Sequence, residues 1–197
     1  MSILITAFEP YGHWTANASW LCLVELTREL PKRSTLVTRR YPVDFAAARA
    51  RLAADLAADF DYVIHLGQAP GESVVRLEAI GLNVGGLPST RPDEYFALEA
   101  DGPPAYRSEL PLGDWCLRLR QAGIPATLSF HAGTYLCNAL LYWTHYLAEH
   151  QGHHTRAALI HVPLDVSQVL DGEAAASLPA RTTATAVRLI LEQLEPS

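Results

Sequence analysis

The 197 residues are enough to bury a core without disulfide or metal staples, and 49% hydrophobic against 18% charged residues is an ordinary globular balance. A net charge of −6 argues against a nucleic-acid backbone or an anionic membrane surface as the main partner. No apolar run approaches the roughly 18 residues of a membrane span. The three cysteines, Cys22, Cys116 and Cys137, are scattered and odd in number, which fits a reducing cytosol better than a secreted disulfide framework. Met1-Ser2-Ile3 runs into a β-type segment without a basic leader, so the expectation is a cytoplasmic protein with one domain over residues 1–197.

Ile3-Leu4-Ile5-Thr6-Ala7-Phe8 is continuously apolar, the pattern of a strand covered on both faces and central in its sheet. After the loop Glu9-Pro10-Tyr11-Gly12-His13, Asn17 is placed to cap a helix over 18–30 that Pro31 stops. Residues 36–41 read as a more polar strand, and Asp44 caps an alanine-rich helix reaching Asp59. The strand at 62–67 leads into Gln68-Ala69-Pro70-Gly71-Glu72, and residues 74–84 form one extended segment broken by glycine.

Residues 85–111 are rich in Gly, Pro, Asp and Glu without a period, and an irregular stretch of that length in a compact domain is usually functional. Asp114 is placed to cap a short helix to Gln121, followed by a strand at 126–130, a helix at 139–150, a strand at 157–162 and a last helix at 179–194. Strands alternating with helices imply an α/β fold: a three-layer α/β/α sandwich around a mostly parallel or mixed, twisted central sheet. Ligand sites in such sheets lie beyond the C-terminal ends of the strands. Phe8, Gly67, the turn at Cys137 and His161 all fall at such ends, so four pieces of chain are expected at one crevice.

The turn Ala132-Gly133-Thr134-Tyr135-Leu136-Cys137-Asn138 puts a thiol at a helix entrance, where unpaired amides and the dipole favour the nucleophilic thiolate. Cysteine is also a common core residue, so a catalytic reading needs partners. A thiolate requires an imidazole, and the imidazole requires a group to hold its ring and tautomer. His161, near the end of an apolar strand, is the best candidate for the first. Glu78, flanked by Leu77 and Ala79, is placed either to accept the second ring N–H of His161 or to pair as an exposed residue with Arg76 or another base. His145, His150, His153 and His154 match no well-specified zinc spacing and suit a helix C-terminus near Gly152, so no metal is expected. Serine-hydrolase elbow, phosphate-loop, dinucleotide-binding and His-Glu-x-x-His motifs are all missing.

Taken together, Thr6-Ala7-Phe8-Glu9-Pro10-Tyr11-Gly12, Gly67-Gln68-Ala69-Pro70-Gly71, the cysteine turn, Ile160-His161-Val162-Pro163, Asp101-Gly102-Pro103-Pro104-Ala105-Tyr106 and Leu110-Pro111 resemble the pyroglutamyl peptidase I, or pyrrolidone carboxyl peptidase, family. The resemblance spans nearly the whole chain. It implies a cysteine peptidase that removes an N-terminal pyroglutamyl group from small peptides, needs no metal or organic cofactor and often assembles as a homotetramer. It makes Cys137 the nucleophile, His161 the acid/base and Glu78 the residue that orients the histidine. Phe8 and Tyr11 would be aromatic walls, Gln68 would lie near the lactam, Tyr135 would line the far side, and Arg91 would help the oxyanion.

The chain departs from the family pattern in three places. Tyr11-Gly12-His13 stands for Phe-Gly-Gly, Glu72 stands where a basic residue is common, and Arg91-Pro92-Asp93-Glu94 only partly matches Arg-Ile-Pro-Asp-Asn. Two other readings stay open: an amidase for another N-blocked substrate, and a catalytically weak or inactive homologue that binds a pyroglutamyl-like ligand.

Overall fold

Ser2–Phe8 (β1) is the buried apolar strand its sequence implies, and in the computed structural model it is flanked on both sides. The structure describes residues 1–30, 35–87, 89–170 and 175–194; Pro31, expected to stop the first helix, lies outside them. β1 is followed by Ala18–Leu26 (α1), Thr35–Tyr41 (β2), Phe45–Asp55 (α2), Tyr62–Gln68 (β3), Val75–Glu78 (β4) and Ile80–Leu82 (β5). Then come Ala105–Arg107 (β6), Leu112–Gln121 (α3), Ala126–Ser129 (β7), Leu136–Gln151 (α4), Arg156–Val162 (β8) and Ala180–Leu194 (α5).

The main sheet has the order β2-β1-β3-β8-β4-β7, with β5 and β6 forming a separate antiparallel pair. Strands β2, β1, β3 and β8 are parallel, β4 is antiparallel to β8, and β7 is parallel to β4. The sheet is mixed, and the period of two sorts its side chains between two cores. Ile3, Ile5, Ile64, Leu66, Ile160 and Leu77 pack with α1, α3 and α5, whereas Leu4, Val63 and Leu159 pack with α2 and α4. This gives the three layers.

Several boundaries differ from expectation for physical reasons. Asn17 accepts the Ser19 N–H as expected of a cap, but α1 ends at Leu26, where the Thr27 N–H returns to Leu23 O. α2 stops at Asp55, short of the expected Asp59, with Leu56 as its C-cap, and Leu56 and Phe60 beyond it are buried. Asp114 lies inside the first turn of α3, whose cap position is Pro111; there its charge complements the positive end of the dipole without capping. The extended 74–84 segment divides at Ala79, whose N–H goes to Ser129 O while its carbonyl accepts from Ser108 N, so β4 joins the main sheet and β5 leaves it to pack on α4.

A buried histidine lies on the α4 side of the sheet. His65 Nδ1 is 2.7 Å from Thr6 Oγ1, and its Nε2 is 2.7 Å from Thr144 Oγ1. Thr144 spends its proton on Leu140 O, so His65 donates through Nε2 and accepts the Thr6 hydroxyl at Nδ1. A second ring proton would break that bond. Burial, with His145 nearby, pushes the His65 pKa from 6.5 down to about 3; burial pushes that of His145 down to about 4. In the unfolded chain both titrate near 6.5, so their contribution is complete above that pH and is lost as pH falls toward 3. We expect the denaturant midpoint to drop between about pH 7 and pH 4, and the drop to shrink in His65→Gln. An equal drop in both proteins would refute this assignment.

Candidate active site

The crevice is built by the ends of β1, β3 and β8, with the start of α4 lying over them and β4 placing Glu78 beside His161. His161 is on the same face of β8 as Leu159, which packs against α4, and the β3–β8 register puts Gly67 directly beside it. A Cβ added at Gly67 would lie 2.7 Å from Cys137 Sγ and 3.2 Å from His161 Nε2. Thiol and imidazole therefore converge over the one strand position that offers them no side chain. α4 begins at Leu136, earlier than expected, so Cys137 occupies its first turn rather than the preceding loop. The N–H groups of Leu136, Cys137 and Asn138 have no intrahelical acceptor there. Gly133, at φ +79°, makes the bend that brings the chain to this turn.

One expectation of the topology is corrected. β7 runs opposite to β1, β3 and β8, and Glu78 is level with both Ser129 and Leu159, so the C-terminal end of β7 points away from the crevice. Residues 130–135 carry the chain back. Four pieces of chain do converge, but this one arrives by a return loop and not from a strand end.

Glu78 is fully buried, which removes its reading as an exposed residue. His161 Nδ1 donates to Glu78 Oε1 at 2.8 Å, and Arg76 Nε lies 3.2 Å from the same oxygen, so Glu78 has both of the partners weighed for it. Burial pulls the His161 pKa down, but the Cys137 sulfur and the Glu78 carboxyl outweigh it and push the value from 6.5 up to about 9. This imidazolium stabilises the fold fully below pH 6.5, and its contribution is lost as pH rises through about 9.

A cavity of about 270 Å³ opens beside the sulfur, at the small end of ligand pockets, and is lined by Phe8, Tyr11, Gln68, Tyr135, Cys137 and His161 among others. Gln68 is buried, with its Oε1 accepting from Ala18 N at 2.6 Å and from Gln168 Nε2 at 2.9 Å. Both acceptor directions are thus occupied. Among the described residues no acceptor lies within hydrogen-bond geometry of its Nε2, and the hydroxyl of Tyr11 is its polar neighbour. Burial, against a smaller opposing effect of Gln68, raises the Tyr11 pKa, so Tyr11 stays a neutral phenol. Tyr135 packs edge-on against Phe45 with ring centroids 5.2 Å apart.

Arg91 is not brought to the cavity. Its side chain is 72% exposed and pairs with Asp93 on a short turn, where it meets neither Cys137 nor the lining. His13 is likewise exposed and rests on Trp14. Asn17, Val43 and Thr134 also line the cavity, although nothing in their sequence setting marks them as lining residues. Asn138 had no separate sequence signal: its Oδ1 accepts from Leu82 N, and its Nδ2 donates to Leu82 O and Val84 O, which ties β5 to the Cys137 turn. Among the described residues no group of three or more His, Cys, Asp or Glu is placed to hold a metal ion. His145 stacks on Tyr106, and His150 Nδ1 bonds Tyr146 O.

A thiol, an imidazole and a carboxyl in series on an α/β/α sandwich are the arrangement of the cysteine peptidase class. The family described as pyroglutamyl peptidase matches residues 1–195 of the chain. A pyrrolidone-carboxylate peptidase of Streptomyces coelicolor is 35% identical over 96% of this chain and 89% of its own. One from Thermococcus onnurineus is 37% identical over 87% and 88%. Among solved structures, the pyrrolidone carboxyl peptidase of Fervidobacterium islandicum superposes with a TM-score of 0.92 at 29% identity, covering 98% of both chains. That of Thermococcus litoralis gives 0.88 at 30%, covering 97% and 91%. The chain belongs to the pyroglutamyl peptidase family.

Proposed function

We propose that the protein is a cysteine omega-peptidase that hydrolyses the amide bond after an N-terminal pyroglutamyl (5-oxoproline) residue. The observation that carries this reading is the cavity beside Cys137: among the described residues it is lined by an unpartnered amide donor, Gln68 Nε2, and by no Asp or Glu. A free N-terminal ammonium would find no counter-charge there and would face the His161 imidazolium, whereas a neutral lactam needs only its carbonyl and amide paired. Phe8, Tyr11 and Tyr135 supply aromatic walls for the ring.

The Cys137 sulfur attacks the carbonyl that follows the ring, and the free N–H groups of the first α4 turn receive the oxyanion. Because Arg91 is turned to solvent, these amides carry that role. As the tetrahedral intermediate collapses, the C–N bond breaks and the amine leaves with the proton of His161 Nε2, which leaves a thioester on Cys137. His161 then takes a proton from water as the water attacks the thioester, and the thiolate is released with pyroglutamate. Glu78 holds Nδ1–H throughout. Three free thiols, with Cys22 and Cys116 buried, suit a reducing cytoplasm, and no helix of the described residues is long and apolar enough to cross a membrane.

The test is fluorophore release from a pyroglutamyl amide, compared with prolyl and alanyl amides. Release is expected from the first alone. The rate should fall above about pH 9, where His161 loses the proton the leaving amine requires. No release above the blank would overturn the reading, and alkylation of Cys137 without turnover would favour another N-blocked substrate.

A further inference from the structure

Resting on that reading of Cys137, His161 and Glu78, we propose that Arg76 is a positioning residue of the site, setting the Glu78 carboxyl that orients His161. β4 runs antiparallel to β8, and Arg76 is directly opposite His161 in the register, with Glu78 opposite Leu159. Val75 and Leu77 point into the α1 side of the sheet, so Arg76 and Glu78 share the face that carries His161.

Every nitrogen of the guanidinium is engaged. Nε lies 3.2 Å from Glu78 Oε1, the oxygen that also accepts His161 Nδ1. Nη2 donates to Ser129 Oγ at 2.6 Å and to His131 O at 3.2 Å, and Nη1 pairs with Glu72. Three pieces of chain meet there: the loop after Gln68, the return loop that leads to Gly133, and Glu78 itself. A planar fork held at all three nitrogens has one orientation, which fixes the carboxylate plane of a buried side chain whose other oxygen, Oε2, has no partner among the described residues.

Glu72 has a specific part in this. With one arginine between two acids, Glu72 takes part of the positive charge, and Arg76 orients Glu78 without cancelling the negative charge that holds the His161 proton. The acid at position 72 and the base at position 76 form a unit.

The test is a double-mutant cycle on pyroglutamyl-amide hydrolysis with Arg76→Met, Glu78→Gln and the double variant, plus Arg76→Lys. Arg76→Met is expected to lower kcat about tenfold with KM within about twofold, the cost of a misplaced but intact catalytic group. Arg76→Lys, which keeps the charge without the planar fork, should recover little of that loss. In the Glu78→Gln background Arg76→Met should change kcat by less than about twofold, because its route of action is already gone. Equal losses in both backgrounds, or an unchanged kcat in Arg76→Met, would overturn the proposal. If the wild-type protein releases no fluorophore, the functional reading fails instead. The role of Arg76 is then decided with the same proteins by the rate of iodoacetamide alkylation at Cys137. That rate is expected to fall in Arg76→Met only while Glu78 is present, and parallel changes in the two backgrounds refute the role.

Discussion

Cys137→Ser is expected to lower pyroglutamyl-amide hydrolysis by at least about 10³-fold while leaving binding of a pyroglutamyl ligand intact. The hydroxyl is close to the thiol in size, so the cavity walls and Gln68 Nε2 keep their places. What is lost is the thiol: a serine hydroxyl is far less acidic, so it stays protonated beside His161 and offers no ready nucleophile. Turnover by Cys137→Ser and wild type, with calorimetric binding of a non-hydrolysable pyroglutamyl amide to both, checks the two halves together. Turnover within about tenfold of wild type would remove Cys137 from the mechanism.

Gly67→Ala is expected to be nearly as damaging, although glycine carries no chemistry. β3 is a regular strand here, and Gly67 is not among the positive-φ glycines, so the backbone accepts alanine without strain. The new methyl would sit 2.7 Å from Cys137 Sγ and 2.9 Å from His161 Cδ2, closer than van der Waals contact allows. Sulfur and imidazole must separate by a few tenths of an ångström to an ångström, and a misplacement of that size costs about 10²-fold in rate. Overpacking one methyl into the interior costs about 1–3 kcal/mol, so the fold survives. The discriminating measurement is kcat beside a thermal melt: a cooperative melt with kcat down about a hundredfold supports steric control of the pair, and wild-type kcat excludes it.

These two substitutions separate what pattern conveys from what only packing conveys. Cys137, His161 and Glu78 were legible because each carries rare chemistry in a telling local setting: a thiol at a helix entrance, a histidine at the end of an apolar strand, a carboxyl between apolar neighbours. The alternation of strands and helices conveyed the layers as well, because the hydrophobic period is local information. Arg91 shows the opposite case. Its motif match pointed to the oxyanion, but the turn at 92–94 directs the side chain to solvent and Asp93, and no periodicity reports the direction of a loop.

By itself, the sequence determined the three-layer class and the helix caps at Asn17 and Asp44, and it singled out Cys137, His161 and Glu78 as candidates for the reactive groups. Tertiary structure alone decided the direction of β4 and β7, since strand polarity depends on partners distant in the chain. It also decided the return loop that brings Cys137 to the crevice, the emptiness at Gly67, and the Gln168 contact that turns the donor of Gln68 toward the cavity. The guanidinium of Arg76 between Glu72 and Glu78 belongs to the same set. Each of these is a meeting of side chains or strands from separate segments, and such meetings are set by packing geometry rather than by any residue's neighbours in sequence.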